Sequence, residues 1–446
     1  MEIDFKKIKK AHFIGIGGIG ISAIARMMLK NGVRVSGSDR ASSPITEELK
    51  KIGAKIHIGQ KASQVPPDAD LAVYTIAIPE DNPELKRARE LGIPLLTYPQ
   101  ALGAVSKKRF TIAVSGTHGK TTTTAMIGKI FGDAKKDPTV VVGSLLKDAK
   151  SNLIAGRGKY FIAEACEYRR SFLNLEPKII VITNIDNDHL DYYKDLKDIQ
   201  KAFSEFVSKL GKNDYLITDA NNPKIKPVAK KAVCRVVDYE KENLGDLKLL
   251  VPGKHNLANA KAALAAARIV GISKRTALKS LSSFSGTWRR FEFKGRTEAG
   301  AAVYDDYGHH PTEIEVTLLA AREFMKGKKD GPRKLTAVFH PHLYSRTKLL
   351  FEDFAKSFDL ADRVLILPIY AAREKEDKSV SSEKLAAAIR KRGTPAKAVG
   401  SFKEAERILL KETGPQDLIM TIGAGDVYKV GEAIIAQKKR RNKRKT

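Results

Sequence analysis

The sequence predicts an α/β protein in three consecutive blocks, each organised on a parallel or mixed sheet. Three observations carry this. Short apolar runs of strand length alternate with helical patterns through most of the 446 residues. Two glycine-rich turns, at 15–20 and 115–121, each sit between such a run and a helical pattern. The length suits two to four domains, and 42% hydrophobic residues suffice for sizeable cores.

The first block spans 1–106. Its strand-like runs are AHFIGIG, VRVSGSD, LAVYTIAI and PLLTYP. Gly15, Gly17 and Gly20 form G-x-G-x-x-G, with Gly18 inside it, and Asp39 follows about 20 residues on, the Rossmann-like spacing for an acid that holds a ribose. Backbone amides and a helix N-terminus serve any diphosphate, so the turn alone does not choose between a dinucleotide and another ligand.

Lys107, Lys108 and Arg109 open the second block, 107–293, which reads as a P-loop ATPase-type domain. The run FTIAVSG enters SGTHGKTTTT, and a helical pattern leaves it. Amides of Gly116, Thr117, His118 and Gly119, with Thr122 at the helix start, would surround a phosphate chain. Lys120 would neutralise the β and γ phosphates, and Thr121 would offer its hydroxyl to Mg²⁺. Val114 replaces the first glycine of a strict Walker loop, so this is the shorter form. The plain alternative is a glycine turn with a surface lysine.

Magnesium takes hard oxygen ligands. Glu164 ends the run KYFIAEA and His189 follows KIIVITNID, at the strand ends where open sheets gather ligands. Asp186, Asp188 and Asp191 crowd the same loop, and spacing does not rank them. DYLITDA is a further strand. NLANAKAALAAARIV is an Ala-rich helix that places Asn256 and Asn259 on one face, with Asn256 also readable as its cap.

The third block, 294–446, holds AAVYDD, KLTAVFH, RVLILPIY and DLIMTIGAGD as strands. The helix PTEIEVTLLAAREFM carries Thr312 as its expected cap behind Pro311. The net charge of +29 includes the tail KKRRNKRKT, 438–446, a run that suits RNA, an anionic surface or plain solvation. No metal-finger spacing or RNA-recognition motif accompanies it, so nucleic-acid binding is not expected. Two cysteines, Cys166 and Cys234, cannot build a disulfide framework, which suits a reducing cytoplasm. No apolar run is long enough to span a bilayer, and the N-terminus lacks a secretion signal.

SGTHGKTTTT, TNIDNDHLDYY, PGKHNLANAKAA, WRRFE and YDDYGHHPTE resemble, in order and spacing, the Mur ligases, ATP-dependent amino-acid ligases of peptidoglycan synthesis. The resemblance runs from about His12 to Val427, and GIGGIGISAIA, SGSD and DDYGHHPTE are most like the member that uses L-alanine. It implies three domains: a Rossmann-like one for UDP-N-acetylmuramate, a central one for ATP, and a Rossmann-like third one that closes over the ATP and helps hold the amino acid. Gly15, Gly17, Gly18, Gly20 and Asp39 would then serve the UDP-sugar. Gly116 to Thr122 would serve ATP, with Thr121, Glu164 and His189 as Mg²⁺ ligands.

The resemblance further places His255 and Asn256 at the adenine with Asn259 beside them, and sends Arg290 to the ATP phosphates. Asp306, Tyr307 and His309 resemble residues on the nucleotide and amino-acid side, and Arg346, with His342 near it, would pair the alanine carboxylate. The implied partners are UDP-N-acetylmuramate and L-alanine, with a monomer or weak homodimer expected. Two departures stand out: EACEYRR replaces the EADESD of some members, and Leu343 replaces a second arginine. The rivals are a recycling ligase that joins a murein tripeptide to the same sugar, an NAD-dependent dehydrogenase, and a basic nucleic-acid-associated ATPase. The last two each leave one of the motif sets without a purpose.

Overall fold

The computed structural model describes residues 5, 7–147, 149, 151–326, 332–372 and 374–442. The chain forms two compact units, one of Met1–Asn187, Asp195–Leu247 and Ala258–Ser283, the other of Asp188–Lys194, Lys248–Leu257 and Phe284–Thr446.

The first unit holds two sheets. One is fully parallel: β1 (Lys10–Ile14), β2 (Arg34–Asp39), β3 (Lys55–Ile58), β4 (Leu71–Tyr74) and β5 (Leu95–Thr97), in the order β3-β2-β1-β4-β5. The order reverses at β1, so a crevice opens beyond its carboxyl end, where the first glycine turn lies. Ala11 to Ile14 are buried on both faces, as a central parallel strand requires.

The other sheet is mixed. It comprises β6 (Phe110–Ser115), β7 (Thr139–Leu146), β8 (Ser151–Ile154), β9 (Tyr160–Glu164), β10 (Ile179–Ile182), β11 (Tyr215–Thr218) and β12 (Arg235–Asp238), ordered β12-β11-β10-β6-β9-β7-β8. Only β8 runs antiparallel, against β7. β6 lies between β10 and β9 and leads into the second glycine turn. The two sheets are tied where Asn152 of β8 donates to Ser22 Oγ at 2.9 Å and to the carbonyl of Ile19, both on the helix Ile19–Lys30.

The second unit has one sheet: β13 (Glu292–Arg296), β14 (Ala302–Asp306), β15 (Lys334–Phe339), β16 (Arg363–Ile366), β17 (Ala396–Ala398) and β18 (Asp417–Ile422), ordered β13-β14-β18-β15-β16-β17. β13 is antiparallel and starts at Glu292, two residues before the expected third block. Cores cover both faces. Phe339, Leu318, Phe354 and Phe358 fill one, while Val338, Leu365, Leu409 and Ile434 fill the other. The neighbours Val338 and Phe339 thus point to opposite layers, the signature of a doubly wound sheet.

Two caps differ from expectation. The helix Pro311–Lys326 begins at Pro311, so Thr312 lies inside it. The amide of Thr312 donates to His310 Nδ1 at 3.3 Å, and Glu313 accepts from the amide of His309 at 2.9 Å. Proline at the first helical position explains this, because its fixed φ suits the helix and it has no amide to satisfy. The helix Lys254–Ile269 starts ahead of Asn256, whose Nδ2 donates to the Pro252 carbonyl at 2.6 Å instead of capping. The helix Tyr428–Asn442 carries the start of the basic tail, but the side chains from 437 onward and all of 443–446 lie outside the described residues. Among the described residues no helix is long and apolar enough to cross a membrane.

Candidate active site

The first turn is wound by two neighbours on β2. The amides of Gly15 and Ile16 both donate to the Ser38 carbonyl at 2.9 Å, and that of Gly17 donates to Asp39 Oδ2 at 2.8 Å. Gly15 sits at φ +77°, which a side chain would strain. A Cβ on Gly17 would fall 2.8 Å from Asp39 Oδ2, and one on Gly20 would strike the Tyr98 ring. Gly18 precedes the helix Ile19–Lys30, so its amino end faces the turn. Asp39, expected at a ribose, here ties down the turn itself.

The second turn is built differently. Gly119, at φ +82°, caps the helix Lys120–Asp133, and a Cβ there would meet Asn259 Oδ1 at 2.6 Å. Asn259 Oδ1 also accepts from Thr123 Oγ1 at 3.1 Å, so the Ala-rich helix reaches this turn. Asn184 clamps His118, accepting its amide at 2.8 Å and donating to its carbonyl at 3.0 Å. The amide of Asp186 donates to Thr117 Oγ1 at 2.8 Å, and Thr122 is buried beside them.

Lys120 folds over the loop. Its Nζ donates to the carbonyls of Gly116 and Thr117 at 2.6 and 3.0 Å and to Glu167 Oε1 at 3.0 Å. Burial opposes its charge, yet the buried Glu167 and the nearby Glu164 outweigh that and raise its pKa. The lysine is therefore fully cationic. Thr121 Oγ1 meets Glu164 at 2.9 and 3.1 Å, and Glu164 Oε2 also accepts the Gly143 amide at 2.7 Å. This hydroxyl and carboxylate, side by side at a phosphate-type turn, are the hard oxygens a divalent cation takes.

In the second unit, Asp188 and Arg346 form an ion pair at 3.1 Å, each about nine-tenths buried. Burial alone would raise the Asp188 pKa, but His189, Arg346 and His309 hold it well below the carboxylate range. His342 Nδ1 lies 3.4 Å from Arg346 Nη1. His189 takes a left-handed backbone, φ +55°, and lines a small pocket with Asp188, Leu343 and Arg346. His309 packs against Tyr307 and lies 3.4 Å from Glu313, with burial depressing its pKa to about 3. Arg290 stacks over Tyr307 and lies near Glu313. His255 is held neutral by burial and by Arg290, with its pKa down to about 4. Asp306 accepts the amides of Phe291 and Gly308 at 2.8 Å, and burial pushes its pKa up to about 6.

Three groups escaped the sequence reading. Glu167, three residues beyond Glu164, is the partner of Lys120, and the repeated carboxylate in EACE was its only trace. Arg289 was passed over for its neighbour. It is buried, pairs with Asp305 at 2.7 Å and donates to the carbonyls of Gly423 and Gly425, binding β14 to the loop after β18. Asn184 lies inside the run TNIDNDHLDYY, but its residue type gave no role of its own. Arg170, in the departure from the EADESD pattern, is engaged by Asp198 and Glu205 on the helix Leu196–Val207.

Two phosphate-type turns on separate sheets, only one of them armed with a lysine and a carboxylate-backed hydroxyl among the described residues, put the chain among the P-loop-type nucleotide-using enzymes. The particular family follows from comparison. The Mur ligase family model (catalytic domain) matches residues 10–110, the Mur ligase middle-domain model 114–248, and the Mur ligase glutamate ligase domain model 289–425, so the chain belongs to the Mur ligase family. The chain is 43% identical to the UDP-N-acetylmuramate–L-alanine ligase of Clostridium acetobutylicum, over 98% of this chain and 100% of that protein. It is 42% identical to the enzyme of the same name from Caldanaerobacter subterraneus subsp. tengcongensis, over 99% and 100%. Among solved structures, the UDP-N-acetylmuramate-alanine ligase MurC of Thermotoga maritima superposes with a TM-score of 0.81 at 28% identity, covering 97% of this chain and 99% of that one.

Proposed function

We propose that the chain joins L-alanine to the lactyl carboxylate of UDP-N-acetylmuramate with ATP as the energy source, in peptidoglycan precursor synthesis in the cytoplasm. Full-length identity of 43% to proteins of that activity supports the reaction. The observation that carries the division of labour is the contrast between the turns: a cationic lysine and a Thr121–Glu164 pair at one, neither at the other.

In this reading ATP lies on Gly116–Thr122 and the UDP-sugar on Gly15–Gly20. A lactyl carboxylate oxygen attacks the γ phosphorus and ADP leaves. The neutral amine of alanine attacks the resulting acyl phosphate at carbon. The tetrahedral intermediate collapses to the amide, phosphate departs with the C–O electron pair, and the amine proton passes to solvent or phosphate. Lys120 follows charge onto the transferring phosphoryl group. Thr121 and Glu164 fit a magnesium ion, which supplies charge neutralisation at the phosphates when bound, and the family resemblance implies His189 as a further ligand. Arg346 offers a planar fork to the alanine carboxylate, with Asp188 steadying it until the ligand arrives. The family resemblance assigns His255 and Asn256 to the adenine, and Arg290, Asp306, Tyr307, His309 and His342 to the binding of nucleotide and amino acid.

The test is phosphate release from ATP and Mg²⁺ with UDP-N-acetylmuramate, offered L-alanine, other amino acids or a murein tripeptide. Turnover that needs both the sugar and L-alanine is expected. Turnover with the tripeptide alone would move the assignment to the recycling ligase.

A further inference from the structure

Beneath the first turn lies a polar cluster that the reaction does not use. Glu84 and His12 are both fully buried, and their facing atoms, Glu84 Oε1 and His12 Nε2, stand 3.7 Å apart with no other hydrogen-bond partner among the described residues. His12 is on β1, and its Nδ1 bonds Ser36 Oγ of β2 at 2.9 Å. Glu84 is in the first turn of the helix Pro83–Glu90, whose cap, Asn82, accepts the Glu84 amide at 2.9 Å. The second carboxylate oxygen accepts the hydroxyl of Ser38.

Ser38 is the pivot. Its hydroxyl is tied downward to Glu84 while its carbonyl holds the amides of Gly15 and Ile16, and the next residue, Asp39, holds Gly17. The whole turn therefore hangs on the end of β2, and the end of β2 hangs on Glu84. A polar side chain buried this deeply is costly unless it is bonded, and an apolar residue would fill the space without that cost. The Ser38 hydroxyl and the amino end of the helix provide the compensation. Retaining a polar group here makes sense where the position of Ser38 matters.

We propose that Glu84, backed by His12, is a positioning residue for the sugar-nucleotide turn and acts through Ser38. It sets the spacing between the Gly15–Ile16 amides and Asp39, and so the fit of the diphosphate. The inference rests on the reading of Gly15–Gly20 as the UDP-sugar turn.

The experiment is steady-state kinetics on the full chain, varying each substrate in turn. Ser38→Ala should raise KM for UDP-N-acetylmuramate about tenfold while kcat and KM for ATP stay within about twofold. Leu85→Ala, on the same helix and fully buried, is the control: it should lower Tm without that shift in KM. Where Ser38→Ala does not yield folded protein, Glu84→Gln keeps the volume and should move KM the same way. A shift no larger than that of Leu85→Ala at matched Tm, or an equal rise in both KM values, would overturn the proposal. Gly17→Ala separates the two readings. If it leaves KM for the sugar nucleotide unchanged, the turn is not the UDP site; if it raises KM and Ser38→Ala does not, only the role of Glu84 falls.

Discussion

The two glycine turns are alike in backbone and opposite in charge. Each follows a buried parallel strand, uses a left-handed glycine and opens a helix. The first is wound on a carbonyl and a carboxylate, Ser38 and Asp39, and among the described residues of the first unit no lysine or arginine is bonded to it. The second is wound on Asn184 and Thr183 and carries Lys120, Thr121 and Glu164. Backbone amides and a helix dipole suffice to hold a phosphate that does not react. A phosphoryl group in flight needs added positive charge, and only the second turn supplies it. On the proposed assignment, glycine spacing marks where a phosphate lies, and the side chains around it mark whether chemistry happens there.

This comparison breaks most readily at Lys120. Lys120→Ala should lower kcat by about 10³-fold or more, the scale of losing a transition-state cation, while UDP-N-acetylmuramate binding by calorimetry stays within about twofold. Equal loss of both would mean the turns do not divide the work. Next in size is Glu164→Gln, expected to lower kcat by about 10²-fold and to raise the Mg²⁺ concentration needed for half-maximal rate. An unchanged Mg²⁺ titration would remove Glu164 from the ligand set.

Gly17→Ala is expected to act on the other turn alone. Its Cβ would stand 2.8 Å from Asp39 Oδ2, so the carboxylate that holds the Gly17 amide must move, and KM for the sugar nucleotide should rise about tenfold at unchanged KM for ATP. The smallest effect concerns neither turn and so calibrates the rest. Burial holds His340 neutral, with a pKa of about 4 against an ordinary 6.5. The unfolded chain takes up that proton first, so its contribution to stability is present above pH 6.5 and is lost as pH falls toward 4. His255 and His309 act in the same direction, whereas Asp306, with its pKa raised to about 6, opposes them by stabilising the fold as pH falls below that value. His340→Gln should flatten the fall in Tm below pH 6.5 by at most about 1.4 kcal/mol per pH unit of the underlying stability. An identical slope in both proteins would show that the fold leaves the His340 pKa where it stands in the unfolded chain.

Much of this was legible in the linear chain. Interior strands such as β1, β6, β10, β15 and β18 are nearly continuous apolar runs, and their lengths and punctuation sufficed. The strands that escaped are chiefly edges, with exposed or charged residues: KIHI in β3, RVVD in β12, AKA in β17. Edge strands are weakly patterned because only one side of the ladder and part of one face constrain them. β7 is interior but hides a glycine, Gly143, that the Glu164 carboxylate approaches closely.

What the sequence alone determined is the set of groups that bring their own geometry. Both turns, Lys120, Thr121, Glu164 and the Ala-rich helix with Asn259 are local motifs, and local backbone chemistry specifies their form. Tertiary structure decided every pairing between distant segments. Glu167 meets Lys120 across 47 positions, Ser38 meets Glu84 across 46, and Arg346 meets Asp188 across 158. Such pairs leave no periodicity in the chain, because each depends on where two independently formed elements come to rest. Their energies depend on burial as well, so the same carboxylate is inert on the surface and decisive once water is excluded.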